Sequence, residues 1–312
     1  MEQTLEIKIV SVNVSEKKGT IKKPVQNIKI TNTGIDGDAH AGNWHRQVSM
    51  LASESVERFE KVMGRKVKPG EFAENITSLG MEIKNTHLLD KFSSSNVELE
   101  VTQIGKKCHS NCAIFQETGN CVMPKEGIFL RVIKSGTLKP GETMIFTPKI
   151  FRFYVLTLSE RASRGEYDDL SGPRISEILQ SYFSEKKRKI IITNKLIPDS
   201  AEQLKQHILK AVDEKYDGII TTGGTGIGPR DITVETVKPM LQKEIPGIME
   251  NIRLKYGAEK PNALLSRGVA GICSQSIIYT LPGSVKAVNE YMTEILKTFE
   301  HLIYMMNGLD IH

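Results

Sequence analysis

The chain has 312 residues, 39% of them hydrophobic and 25% charged, with a formal net charge of +5. That composition belongs to folded proteins with real cores, and the length suggests two domains of about 150 residues each. No apolar run approaches the ~20 residues needed to cross a bilayer, the charge is too mild to single out nucleic acid, and residues 1–10 lack a signal-peptide core. A cytoplasmic protein acting on anionic small molecules is expected, with neither membrane nor nucleic acid as partner.

The first 148 residues read as mostly β. Short alternating segments occur at 8–14, 27–31, 47–51, 97–104, 128–133 and 143–147. Turns such as Lys139-Pro140-Gly141 and Pro69-Gly70 separate them, and one helix is predicted over 53–63. Many short strands with few helices point to a closed or nearly closed barrel. Cys108, Cys112 and Cys121 crowd into one window, whereas Cys273 stands in an apolar context and reads as a small buried hydrophobe. Lys106, Lys107 and His109 surround Cys108 with positive charge, which favours thiolate and nucleophilicity toward sulfur or a soft metal. Two other readings stay open: packed thiols, or a zinc site of Cys108, His109, Cys112 and Cys121, whose spacing is not a usual paired-knuckle pattern.

Several stretches of this half resemble the MOSC domain, the β-rich module named after the molybdenum cofactor sulfurase C-terminus. They are Gly34–Gly42, Trp44-His45-Arg46-Gln47-Val48-Ser49, Gly70–Thr77 with its Glu74-Asn75 pair, and Val101–His109, within a coverage of residues 7–145. The resemblance implies molybdenum-cofactor or sulfur handling, with Cys108 as sulfur carrier or cofactor contact. It also lets His40, His45 and Arg46 line the same cavity and hold the cofactor phosphate.

The pattern changes near residues 148–152, which sets expected domains of 1–148 and 152–312. Strand 153–158, a helix opening at Pro173, strand 189–193, helix 200–215, strand 218–222 and helix 233–243 alternate in the manner of an open, mostly parallel α/β sheet with helices on both faces. Thr221–Thr233 carries a Gly-rich loop between strand and helix, where backbone N–H groups and the helix N-terminus favour anions. It is neither a Walker loop nor a dinucleotide fingerprint. It ends in Arg230-Asp231, a phosphate-holding cation beside a Mg²⁺-binding type of acid. Asp199 adds an acid at another helix entrance, where an N-cap is the alternative reading.

Ser163-Arg164-Gly165-Glu166-Tyr167, Gly223-Gly224-Thr225-Gly226, Arg230-Asp231, Ser266-Arg267-Gly268 and Leu281-Pro282-Gly283 together resemble the MogA/MoaB-like molybdopterin adenylyltransferases, from Phe153 to the C-terminus. The resemblance implies ATP and molybdopterin as substrates, Mg²⁺, a homotrimer, and other molybdenum-cofactor proteins as partners. Carried over, Asp199 and Asp231 serve Mg²⁺ and adenylyl transfer, while Gly223, Gly224, Thr225 and Gly226 cradle phosphate groups beside Arg230. Ser266 and Arg267 receive the pterin and its phosphate, and Pro282, Gly283 and Ser284 form a second loop of the pocket. Two positions depart from the pattern: Glu160 replaces a common Asp, and Val285 a common Pro. The rival class is a non-catalytic protein that binds and delivers molybdenum cofactor, for which the acidic pair would be superfluous.

Overall fold

The computed structural model describes residues 5–106 and 121–309. They form two compact units divided between Lys149 and Ile150.

The first unit contains β1 (Leu5–Val14), β2 (Lys23–Val25), β3 (Ile28–Thr31), β4 (Gly34–Ile35), β5 (Val48–Ala52), α1 (Ser53–Met63) and β6 (Ile76–Leu79). It continues with β7 (Lys91–Ser93), β8 (Glu98–Ile104), α2 (Met123–Glu126), β9 (Ile128–Lys134), β10 (Gly136–Leu138) and β11 (Thr143–Thr147). Among the described residues, strands in the order β11-β7-β8-β9-β5-β6-β1 form a sheet that closes when β1 pairs back with β11. Only β5 and β6 run parallel in that ring. Closure leaves no open sheet edge around the ring.

The barrel follows from alternation. On β1, Ile7 and Ile9 are buried while Lys8 and Val10 are exposed, until a bulge between Ile9 and Ser11 resets the pattern. Val48, Ile76, Phe92, Leu99 and Leu130 join them in one core. The helix predicted over 53–63 forms at α1. It stops at Gly64, whose φ of 70° suits glycine and whose N–H donates to the Glu60 carbonyl (2.8 Å). The short strands β6 and β7 have too few residues for a periodic signal, and their pairing is tertiary.

The second unit contains β12 (Phe151–Leu158), α3 (Glu160–Ser163), α4 (Ser171–Glu185), β13 (Ile190–Ile197), α5 (Ala201–Asp213), β14 (Gly218–Thr222) and α6 (Thr233–Val237). After these come β15 (Lys243–Glu244), α7 (Pro246–Gly257), β16 (Ala270–Cys273), β17 (Ser276–Leu281) and α8 (Val285–Met306). The sheet order is β13-β12-β14-β17-β16-β15, with the first four strands parallel and the last two antiparallel. Alternation along β12 serves both faces. Tyr154, Leu156 and Leu158 pack with Leu204 and Ile208 of α5, while Phe151 and Phe153 meet Phe299 of α8 at ring distances of 5.9 and 5.0 Å.

Several boundaries of the second unit differ from the sequence reading, and three of the differences have a clear origin. Helix α4 starts at Ser171 rather than Pro173, because the Asp169 carboxylate accepts the N–H groups of Ser171 (2.9 Å) and Gly172 (3.1 Å). Strand β13 continues to Ile197, paired with β12 along its whole length. Helix α6 ends at Val237 instead of 243, because Pro239 has no N–H and a 3₁₀ turn takes over at Lys238–Met240. Among the described residues, no helix is long and apolar enough to cross a membrane.

Candidate active site

In the second unit, β12 has β13 on one side and β14 on the other, so the connections leaving it diverge. Such a switch point opens a crevice beyond the carboxyl ends of parallel strands. A cleft of about 270 Å³ lies there, lined among others by Ser159, Glu160, Asp199, Gly224, Arg230 and Asp231. They come from the segments after three strands: 159 and 160 after β12, 199 after β13, and 224–231 after β14. Arg161 and Tyr167 add a wall in which the guanidinium sits 5.2 Å from the ring centre, and the Tyr167 hydroxyl is 2.7 Å from that of Ser159. The sequence reading assigned neither residue a role.

The two acids are held differently. Ser200, not Asp199, caps α5, its hydroxyl accepting the Gln203 N–H (3.3 Å). The capping alternative for Asp199 therefore falls away, and its carboxylate is left to the cleft. Asp231 ties its own loop, since Oδ2 accepts the Gly228 N–H (2.8 Å). A Cβ at Gly226 would lie 2.8 Å from that oxygen, which explains the glycine by close approach. Glu160 pairs with Arg164, so its added length over aspartate is spent on a surface ion pair.

The Gly-rich loop is required sterically. Gly223 has φ +102°, and a Cβ there would lie 2.3 Å from the Leu158 carbonyl. Its N–H donates to Leu281 (2.9 Å), and its carbonyl accepts the Thr233 hydroxyl (2.8 Å). With α6 only five residues long, the field at its N-terminus is weaker than the sequence reading expects.

The remaining predicted residues converge on the same edge. Ser266 and Arg267 precede β16, which runs antiparallel and so begins where the parallel strands end. The Ser266 hydroxyl accepts from Tyr291 (2.8 Å). The main-chain N–H of Arg267 donates to Thr225 (3.1 Å), and its Nε to Gly226 (2.8 Å). The Pro282 carbonyl accepts from Thr222 (2.9 Å), the Gly283 carbonyl from Ser171 (2.7 Å), and the Ser284 hydroxyl caps α8 through the Ala287 N–H (3.2 Å). These three residues join β14, α4 and α8 at the rim of the crevice.

The first unit holds a different constellation. Lys22, only 1% exposed, pairs with Asp38 and lies 3.3 Å from His40 Nδ1. Burial draws Lys22 below the ordinary lysine value, against the pull of Asp38. Burial would raise Asp38, but donors from His40 and Lys22 prevail and hold it well below the usual carboxylate range. The Trp44 indole donates to the His40 carbonyl (2.8 Å), and the Arg46 guanidinium sits 4.8 Å from the Trp44 ring centre. Lys22 escaped the sequence reading because a lysine in the polar run between β1 and β2, next to Lys23, gives no sign of burial.

The Glu74-Asn75 pair works within the barrel wall. Asn75 Oδ1 accepts the Ser49 N–H (3.1 Å) and hydroxyl (3.0 Å), while its Nδ2 donates to Asn13 (3.1 Å). Glu74 Oε1 accepts the Gly70 N–H (2.6 Å) and the Thr77 hydroxyl (2.9 Å). Burial pushes Glu74 above its ordinary value. Cys108, His109 and Cys112 lie outside the described residues; Cys273 is buried, as expected of a small hydrophobe.

Comparison with known proteins agrees with this division. The family described as a probable molybdopterin binding domain matches residues 154–301, and the MOSC domain family matches 36–145. Molybdopterin adenylyltransferase of Helicobacter pylori is 36% identical over 155 residues, covering 49% of this chain and 86% of that protein. Gephyrin of Dictyostelium discoideum is 41% identical over 160 residues, again 49% of this chain, but the match spans only 22% of gephyrin's length. The crystal structure of the molybdopterin biosynthesis enzyme MoaB from Thermus thermophilus covers 51% of this chain and 97% of its own at 36% identity, with a TM-score of 0.46. Through residues 154–301 the chain belongs to the molybdopterin adenylyltransferase family, and a MOSC domain at residues 36–145 precedes that match.

Proposed function

We propose that the chain is a cytoplasmic, homotrimeric enzyme of molybdenum cofactor biosynthesis whose second domain, 152–312, adenylylates molybdopterin with Mg-ATP. The observation that carries this reading is the convergence of Asp199, Asp231, Arg230 and Gly224 on one cleft. A phosphate oxygen of molybdopterin attacks the α-phosphorus of ATP, and the bond to the β-phosphate bridging oxygen breaks. Pyrophosphate leaves with that electron pair, and adenylylated molybdopterin remains. Such a transfer needs alignment and charge neutralisation rather than a covalent nucleophile.

The donors suit Mg²⁺, which characteristically takes one or two carboxylates together with substrate phosphates instead of a full protein cage. Asp199 and Asp231, both lining the cleft, would hold it, and it would neutralise phosphate charge. Arg230 and the loop N–H groups bind phosphate oxygens, while Ser266 and the Pro282–Ser284 loop border the pterin side. The first domain, 1–148, handles molybdenum cofactor or sulfur through Cys108, and the product passes to other molybdenum-cofactor proteins.

The test supplies the intact chain with molybdopterin and Mg-ATP and follows adenylylated product. Asp231→Asn should cost about 10²–10³-fold in turnover with folding retained. Pyrophosphate release that does not depend on molybdopterin, or unchanged turnover in the variant, would sink the assignment.

A further inference from the structure

Arg267 stands among the residues expected to receive the pterin and its phosphate, yet its guanidinium is occupied within the protein. Nε donates to the Gly226 carbonyl (2.8 Å), and the two terminal nitrogens fork onto the carboxylate of Glu235, the second at 3.3 Å. The main-chain N–H of the same residue donates to Thr225 (3.1 Å). One arginine therefore grips the Gly-rich loop at 225–226 and the helix α6 that follows it.

The span between those grips contains Ile227, Gly228, Pro229, Arg230 and Asp231. It is the exposed part of the loop, with Ile227 76% exposed, and its other four residues, Gly228, Pro229, Arg230 and Asp231, line the cleft. Within it, the Gly228–Asp231 turn is closed by the Asp231 carboxylate and by the Asp231 N–H donating to Gly228 (3.0 Å). That turn fixes the tip but not its angle to the sheet. The anchor itself is well supported: Arg253 donates to the Gly268 carbonyl (3.2 Å), and Tyr291 to the Ser266 hydroxyl (2.8 Å).

We propose that Arg267 and Glu235 are positioning residues that brace both ends of the 226–235 span and so set where Arg230 and Asp231 stand in the cleft. The pair is partly exposed, and its Coulomb energy counts for little in water. Its value is geometric. A planar fork holds a carbonyl through Nε and both carboxylate oxygens through its terminal nitrogens in one fixed geometry, which a lysine's single nitrogen does not reproduce. An arginine that contacted substrate phosphate directly would first have to give up these partners.

The consequence for turnover rests on the adenylyl-transfer reading; the brace itself does not. The experiment uses the full chain with Glu235→Ala and Arg267→Lys, and reads amide hydrogen exchange across 226–231 beside kcat and KM for ATP. Exchange in that span should rise about tenfold in both variants while the sheet keeps its protection. Turnover should fall about tenfold in kcat with KM for ATP nearly unchanged, as for a displaced catalytic group. Unchanged exchange in Glu235→Ala overturns the brace whatever happens to turnover. A KM defect confined to Arg267→Lys, with Glu235→Ala normal, makes Arg267 a direct ligand contact and overturns it as well. If the parent chain shows no adenylylation, the proposed function fails, and the exchange arm still decides the brace.

Discussion

In the second unit, Asp199 and Asp231 line an open cleft and are half-buried, with Asp231 tied by its own loop. In the first, Lys22, Asp38 and Glu74 are sealed to 6% exposure or less and engaged by neighbouring groups. Both sets are charged side chains in the segments between strands and helices, and composition alone does not tell them apart. Burial does. Charge left open to a cleft is available to a ligand, whereas charge sealed in a barrel is committed to the fold, and each predicts a different failure when one member is removed.

The largest effect is expected from breaking the sealed pair. Lys22→Met leaves the Asp38 carboxylate buried without its lysine, a defect of about 3–5 kcal/mol for a buried ion pair. Trp44 is the sole tryptophan of the chain and belongs to the first unit, so urea unfolding followed by its fluorescence reports that unit apart from the other. A loss below roughly 1 kcal/mol would put Lys22 in the class of surface ion pairs and erase the contrast. Asp199, by comparison, should be removable at little cost to folding.

That second expectation is sharpened by its neighbour. Asp199→Asn should lower adenylyl transfer about 10²–10³-fold while leaving unfolding of the second unit nearly unchanged. Ser200→Ala should do the reverse, weakening the unit by about 1 kcal/mol through loss of the α5 cap while sparing most turnover. Adjacent residues with exchanged phenotypes would confirm that capping and chemistry are divided between them. If Asp199→Asn instead destabilises the unit by as much as Ser200→Ala, the aspartate belongs to the helix entrance and not to the cleft.

The C-terminal cleft was legible because its residues sit in loops at strand ends, and strand–helix alternation already dictates that such loops converge. Asp199, Arg230 and Asp231 could be picked from Pro198-Asp199-Ser200 and the Gly-rich run without knowing a single contact. Glu235 could not, since its meaning depends on Arg267 arriving from the loop before an antiparallel strand, a placement that sequence order does not reveal. In the barrel the closed architecture was readable from short alternating segments, as was α1 to its last residue. Strands of three or four residues were not, and neither was the burial of Lys22. The Glu74-Asn75 pair was recognised as a motif, but its role in joining β1, β5 and β6 emerges only from the hydrogen bonds.

Glu74 offers the mildest test and the one most specific to sealed charge. Burial raises its pKa above the ordinary 4.5, outweighing the N–H and hydroxyl donors around it. A carboxyl raised on folding binds its proton more tightly in the native state. Its stabilising contribution is therefore full below the unfolded value and declines as pH rises through the folded one. Asp38 acts in the opposite sense and only in acid, because its folded value is depressed. Above the ordinary value of 4.5 the difference between the parent chain and Glu74→Gln thus isolates Glu74. The Trp44-monitored midpoint of the parent should fall across that range relative to the variant, whose amide keeps an acceptor for Gly70 and carries no titrating proton. Parallel pH profiles would mean that Glu74 enters the folded barrel already ionised, and the line drawn between committed and available charge would then have to rest on Lys22 and Asp38 alone.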